Sequence, residues 1–303
     1  MKLRHALLAM LVATIWGFAY VATRIALNTF SPPQLAFLRF AVACLPALFL
    51  PRPVVPWPML IAVGSTMFAG QFLLQFFGIA NGMPPGLASV VSQSQALFTV
   101  IFAIAILGER PTRKQLAGLA AGLTGLALVG LTVGRGLTAL GLGLTLGSAI
   151  SWGIGNVLMK RLPPVETLHL VVWMALVPPL PALAISAWLD GPLSLPAVLA
   201  GAPPAALGAV LYLGLISTIL AYAIWGRLLR LYPTAAVTPF ALLAPCVGAL
   251  SSALVFGERF GSLRLTGMVF IILGLAIVIL PVERMAGWIG FRFRHLSKDA
   301  LKK

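Results

Sequence analysis

The sequence predicts an all-α polytopic membrane protein: ten transmembrane helices as two inverted five-helix repeats, with both termini cytoplasmic. Three observations carry this. Of the 303 residues, 60% are apolar and 9% charged, and the mean hydropathy is +1.03. A soluble domain carries about 25% charged residues, so this chain has too few to cover its surface against water. The apolar residues come in continuous runs of about 20, enough to cross a bilayer as a helix, without the alternation of a transmembrane strand. The punctuation between runs also recurs: Gly108-Glu109-Arg110 and Gly257-Glu258-Arg259 close two runs 149 positions apart.

Each helix follows from its run and its stop. The first, 6–23, comes after Lys2-Leu3-Arg4-His5 and imitates a secretory signal, but it continues to about Ala22 without a convincing cleavage site and is read as a retained helix. "FSPP" separates it from 34–50, "PRPVVPWP" leads into 57–78, and "NGMPP" precedes 84–107. "GERPTRK" introduces 112–133, "VGRG" precedes 139–161, and "KRLPP" precedes 165–188. "LDGPLSLP" begins the ambiguous stretch before 203–229, "LYP" opens 233–256, and "FGERFGS" precedes 263–281. Pro and Gly end helices at these joints by removing a donor or admitting left-handed backbone. Pro239 and Pro245 should kink the ninth helix. Residues 1–135 form the first repeat, 136–281 the second, and 282–303 a basic cytoplasmic tail. The tail's Trp288, Ile289, Phe291 and Phe293 among Arg292, Arg294, Lys298, Lys302 and Lys303 suit an anionic lipid surface.

The net charge of +15 would point to nucleic acid in a soluble protein, but here Lys and Arg sit between apolar runs as topology signals. With the N-terminus inside, 16 of them are cytoplasmic and four external (Arg24, Arg135, Arg259, Arg264), with Arg39 within a span. The repeat extends beyond its corners. At an offset of 149, Pro84 meets Pro233, Leu116 meets Leu265, Gly118 meets Gly267 and Gly125 meets Gly274. At an offset of 136, Trp16-Gly17 meets Trp152-Gly153, Tyr20 meets Asn156 and Arg24 meets Lys160. The offsets differ by one extra loop near 189–202. Five spans per copy turn the second copy upside down.

Two five-helix units, a Trp-Gly in the first helix of each, Leu38-Arg39-Phe40 in the second helix, and a Gly-Glu closing the fourth and ninth together resemble the EamA-type branch of the drug/metabolite transporter superfamily, over nearly the whole chain. The resemblance implies a ten-helix carrier, often an exporter of amino acids or other small metabolites, similar to the aromatic-amino-acid exporters of that branch. It implies a multi-pass protein of a bacterial inner membrane. The superfamily's small multidrug relatives use a glutamate in their first helix, and "LVATIWGFAYVATR" has none.

Charge inside a bilayer is costly and usually functional, which singles out Arg39. It either snorkels outward, attracts a substrate carboxylate, or orders helices through backbone carbonyls. The neutral candidates share helix faces at i, i+4 spacing: Trp16 with Tyr20, Trp152 with Asn156, Gln71 with Gln75, and Ser92, Gln95 and Thr99 beside a second stripe of Ser89 and Gln93. Thr218, Tyr222 and Trp225 align on the eighth helix. Such groups either hydrogen-bond between helices or line one central cavity. An aromatic cavity with a few amides suits a small, partly apolar, zwitterionic or neutral solute. Glu109 and Glu258 sit where a helix dipole disfavours them, with Arg110, Arg113 and Lys114, or Arg259 and Arg264, as compensating charges. The corners are either capped joints or gates. The glycines of the fifth and tenth helices read as packing contacts.

No HExxH, GxSxG or GxxxxGK occurs, and His5, His169 and His295 are scattered, which argues against an enzyme, a metal site or a cofactor. Cys44 and Cys246 have neither disulfide nor metal spacing. The expected partners are a small-molecule substrate and membrane lipid, with no nucleic acid, and the chain is expected to work as a monomer. Lipid scrambling and proton-coupled drug export are the competing functions. All six carboxylates fall at helix ends, in loops or in the tail, which favours facilitated diffusion over proton coupling.

Overall fold

The computed structural model describes residues 1–280, and every regular element among them is helical. The predicted tail lies outside the described residues. The helices are α1 (Leu3–Leu27), α2 (Pro32–Ala43, continued by a 3-10 turn at Leu45–Leu48), α3 (Trp57–Ala80), α4 (Pro85–Leu107), α5 (Arg113–Gly130) and α6 (Ala139–Met159). They continue with α7 (Thr167–Leu189), α8 (Pro204–Leu231), α9 (Thr238–Phe256) and α10 (Ser262–Ile279). Among the described residues, eight are long and apolar enough to cross a membrane; α2 is shorter, and α5 opens on Arg113-Lys114-Gln115. The chain is a multi-pass membrane protein.

Local chemistry sets the ends. Ser31 and Gln34 form a capping box at α2, with Pro32 in the first turn where its missing N–H is harmless. Thr112 and Gln115 repeat the device at α5, and Thr138 caps α6 through Gly141 N–H. Gly108 and Gly257 end α4 and α9 in left-handed backbone, φ 65° and 68°, which glycine adopts without a Cβ clash.

Several helices are less regular than their sequence suggests. The α-helical part of α2 stops at Ala43, and Pro46 sits in the 3-10 turn that follows. Helix α7 breaks after Met174 and resumes at Pro179, because Pro178 and Pro179 cannot supply helix donors. A short helix, Ser194–Ala200, occupies the ambiguous stretch. Wider π turns interrupt α3 at Ser65–Gly70 and α8 at Tyr212–Leu220. A 3-10 turn interrupts α4 at Ser92–Ser94, and another, carrying Pro239, begins α9 at Thr238–Leu242.

Glycines let helices touch at backbone distance. A Cβ on Gly125 would meet Gly267 O at 2.6 Å, and one on Gly274 would meet Gly118 O at 2.6 Å, so α5 and α10 pack with their main chains in contact. On α1, Gly17 meets Ala244 O and Val247; on α6, Gly153 meets Phe98 and Thr99, the positions 149 residues earlier than Val247 and Gly248. Gly274→Leu should therefore lower the thermal midpoint of the purified chain, since forced overpacking costs about 1–3 kcal/mol. Gly143→Leu, whose added Cβ meets nothing within 4 Å, should leave it unchanged.

Candidate functional site

The α2 cap fixes the helix so that Arg39 points inward. Arg39 is 4% exposed and does not snorkel. Its Nη2 donates to Thr218 Oγ1 at 3.2 Å, and its guanidinium carbon lies 3.9 Å from the centre of the Phe72 ring and 5.5 Å from that of Phe40. Its Nε has no partner, and no carboxylate among the described residues pairs with it. An uncompensated cation at the centre of a bilayer costs about 2.5–3.5 kcal/mol on an insertion scale. Stacking on a desolvated ring returns about 2 kcal/mol.

Rings extend from this cation. Phe40 stacks on Phe68 at 5.2 Å, Phe68 approaches Tyr222 at 6.3 Å, and Tyr222 approaches Trp16 at 5.3 Å; Trp225 flanks Trp16 at 5.1 Å. The π turn of α8 turns a carbonyl toward the cluster: Trp16 Nε1 donates to Ser217 O at 3.1 Å. Tyr20, half-buried on α1, packs against the apolar cluster of Ile79, Met83 and Leu87. Gln71 and Gln75 are buried with their Oε1 atoms unpartnered, as is Ser92 Oγ. Unpaired donors and acceptors this deep are uncommon, because each carries its desolvation penalty unrelieved.

The expected single cavity is divided. One space of about 200 Å³ is lined by residues that include Met67, Phe68, Trp152, Thr167, Met174 and Tyr222. Another, of about 270 Å³, is lined by Thr99, Glu109, Arg110, Asn156 and Lys160. Trp152 and Tyr222 thus share a space, whereas Asn156 belongs to the other and donates from Nδ2 to Thr99 Oγ1 at 3.1 Å. Trp16, Tyr20, Arg39, Gln71 and Gln75, and the half-buried Gln93 and Gln95 of α4, line neither. Phe40, Phe68 and Phe72 were not among the expected site residues. Phe40 stood beside Arg39 in the motif, but ring placement on α3 depends on its π turn and leaves no sequence signal.

Both spaces reach the end of the bundle that carries Glu109 and Lys160. At that end Glu109 is exposed and pairs with Lys160 at 2.8 Å, not with the expected Arg110, Arg113 or Lys114. The equivalent Glu258 behaves differently. Its carboxylate turns onto the start of α4, accepting from Gly86 N–H at 3.2 and 3.3 Å and from Ser252 Oγ at 2.6 Å. It thereby replaces the side-chain cap that α4 lacks and meets a positive dipole end. Its expected neighbours are engaged elsewhere or exposed: Arg264 donates to Thr132 Oγ1 and Arg135 O, and Arg259 faces outward. Burial pushes the Glu258 carboxyl above the usual carboxylate value, while the Ser252 and Gly86 hydrogen bonds, then Arg264 and Arg24, pull it back. Nearby, Ser89 Oγ donates to Pro245 O at 3.2 Å and a Cβ on Gly248 would meet Ser89 Cβ at 2.4 Å, so α4 and α9 close tightly.

The description "EamA-like transporter family" matches residues 3–131 and again 139–280. A protein of Salmonella typhimurium named "Probable amino-acid metabolite efflux pump" is 38% identical over 98% of this chain and 99% of its own length. An Escherichia coli protein of the same name is 39% identical over 91% of this chain and 95% of its own. A "Probable terminal-alkyne amino-acid exporter" of Streptantibioticus cattleyicolor is 27% identical over 95% of this chain and 96% of its own. One solved structure shares the fold, with a TM-score of 0.61 at 19% identity over 94% of this chain and 99% of its own. With the family pattern matched twice along nearly its whole length, the chain belongs to the EamA-like transporter family.

Proposed function

We propose that the chain exports amino acids or similar small metabolites from a bacterial cell, working in the inner membrane by alternating access of two inverted five-helix repeats. The observation that carries the substrate class is the buried guanidinium of Arg39, whose Nε has no partner and which pairs with no carboxylate among the described residues, together with the unpartnered Gln71 and Gln75 carbonyls of α3. A substrate carboxylate would answer the first, and an ammonium or amide donor the second. The rings of Phe68, Tyr222 and Trp16 would hold an apolar side chain. The relatives' names agree with this reading.

Matched irregularities support the repeat, 1–135 against 136–281. The π turns of α3 and α8 overlap at the offset of 149, as do the 3-10 turns of α4 and α9. The packing of α1 on α9 recurs as α6 on α4. Ten spans follow if α2 and α5 also cross, and the Lys and Arg distribution places both termini inside. The corners act as the gates. In this structure the Glu258 corner is shut on α4, while the Glu109 corner borders an open space. Exchanging these roles, with Glu109 closing on the start of α9, gives the opposite access.

Among the described residues every carboxylate lies at a helix end or in a loop, so transport runs as a uniport down the substrate gradient. In proteoliposomes a gradient of an aromatic or aliphatic amino acid should drive flux by itself, and an imposed pH gradient should accumulate none. Uphill, proton-driven accumulation abolished by Glu109→Gln or Glu258→Gln would refute the uniport. Lipid movement without amino-acid flux would refute the carrier.

A further inference from the structure

The two repeats make one junction twice, and make it differently. Where α6 starts against the end of α3, the contact is backbone to backbone. Thr138 Oγ1 donates to Asn81 O, a Cβ on Gly78 would meet Thr145 Oγ1 at 2.7 Å, and one on Gly141 would meet Met83 N at 2.7 Å. The equivalent junction joins the start of α1 to the end of α8. There the offsets of 136 and 149 put Lys2 in place of Thr138, His5 in place of Gly141, Arg227 in place of Gly78 and Tyr232 in place of Met83. Side chains stand where glycines closed the other copy. His5 Nδ1 and the Tyr232 hydroxyl, 2.7 Å apart, hold the two main chains away from each other.

The result is a cavity of about 400 Å³, walled by Arg4, His5 and Arg227 over an apolar floor that includes Leu8, Ile224 and Leu228. No acidic residue lines it, and among the described residues neither arginine is in an ion pair, although Arg230 nearby is bound to Glu166 at 2.9 Å. Helix α1 begins there with no acid in its first turn and no side-chain cap, so its unpaired N–H groups add positive potential. The cavity lies at the end of two membrane helices, the depth of lipid headgroups. Two fork-shaped cations, a helix start and a greasy base together match a phosphate attached to hydrocarbon. We propose that the α1–α8 junction binds the phosphodiester headgroup of an anionic phospholipid, with Arg4 and Arg227 on the phosphate and an acyl chain along Leu8 and Leu228. This holds whatever solute the protein carries, and it fails independently of the transport reading.

The full chain, reconstituted in phosphatidylcholine bilayers containing phosphatidylglycerol, would be released into native mass spectrometry and its retained lipid identified. The wild type should keep one phosphatidylglycerol in preference to phosphatidylcholine. Arg4→Gln with Arg227→Gln should weaken that retention about 30-fold, taking about 1 kcal/mol for each basic residue near the surface. Arg4→Lys with Arg227→Lys, which preserves the charge, should lose less. Equal retention of phosphatidylcholine by the wild type would overturn the proposal without recourse to a variant, as would undiminished phosphatidylglycerol on a folded glutamine pair. A separate arm adds inorganic phosphate to the detergent-solubilised chain. If it raises the thermal midpoint as much as short-chain phosphatidylglycerol does, the cavity takes a free anion and the lipid assignment is wrong.

Discussion

Arg39→Gln should raise the KM for carboxylate-bearing substrates at least about 30-fold while leaving the fold intact. Removing one partner of a desolvated charge pair costs about 2–5 kcal/mol, and every 1.36 kcal/mol is a factor of ten. Within the chain, however, Arg39 has no anionic partner among the described residues; its contacts are Thr218 and the Phe72 and Phe40 rings. Its removal relieves a buried charge, so the thermal midpoint should not fall. The measurement is paired: uptake of an amino acid against its methyl ester in proteoliposomes, and thermal unfolding of the same preparation. Wild type should prefer the free acid, and Arg39→Gln should lose that preference. If the guanidinium served to tie α2 to α8, the opposite pattern would appear, with a lower midpoint and an unchanged preference for the acid.

Gly86→Ala should open the Glu258 corner. A Cβ there would lie 2.7 Å from Glu258 Oε2, 2.9 Å from Ser252 Cβ and 3.0 Å from the Phe260 ring, so the carboxylate must leave the start of α4. Hydrogen bonds to a charged group are worth about 1.5–3 kcal/mol, hence a shift of about 10- to 100-fold toward the open form. Ser89→Cys, introduced after replacing Cys44 and Cys246 by serine, reports the change. Ser89 is fully buried here, and labelling by a membrane-impermeant maleimide should accelerate by about tenfold or more with Gly86→Ala. Glu258→Gln, which removes the buried charge, should label no faster than the otherwise wild-type chain, and Glu109→Gln should not accelerate it. Unchanged labelling in Gly86→Ala would remove the corner from the gating cycle.

The sign of the pH effect follows from burial. Since the closed corner raises the Glu258 pKa, the closed form holds that proton more tightly than an open, water-exposed one. Rising pH through the raised value therefore favours opening. After correction for thiol ionisation, Ser89→Cys labelling should rise with pH in the otherwise wild-type chain and much less in Glu258→Gln.

Much of the architecture was legible because a bilayer imposes simple rules. Run length, Pro and Gly punctuation and the absence of alternation located the helices, and the glycines of α5 and α10 announced a close contact that the structure contains. The interruptions were less legible. Pro46 and the Pro178-Pro179 pair are visible in the sequence, but the apolar runs continue through them, so the second and seventh helices read as whole where the structure interrupts both. The π turns of α3 and α8 carry no local signature, because an i→i+5 bond is selected by the neighbours a helix must fit.

The site divides along the same line. That Arg39 lies within a span, and that Trp16, Tyr20, Gln71 and Gln75 share helix faces, follows from spacing alone. That Arg39 stays inside on Phe72, that Asn156 is separated from Trp152's cavity, and that Glu258 reaches Gly86 across 172 positions were decided by tertiary structure. Periodicity determines which face a side chain occupies, and hydrophobicity determines whether that face can meet lipid. Which helix stands opposite is a property of packing, so two corners with the same three residues, Gly-Glu-Arg, come to hold a lysine at one end of the molecule and a helix start at the other.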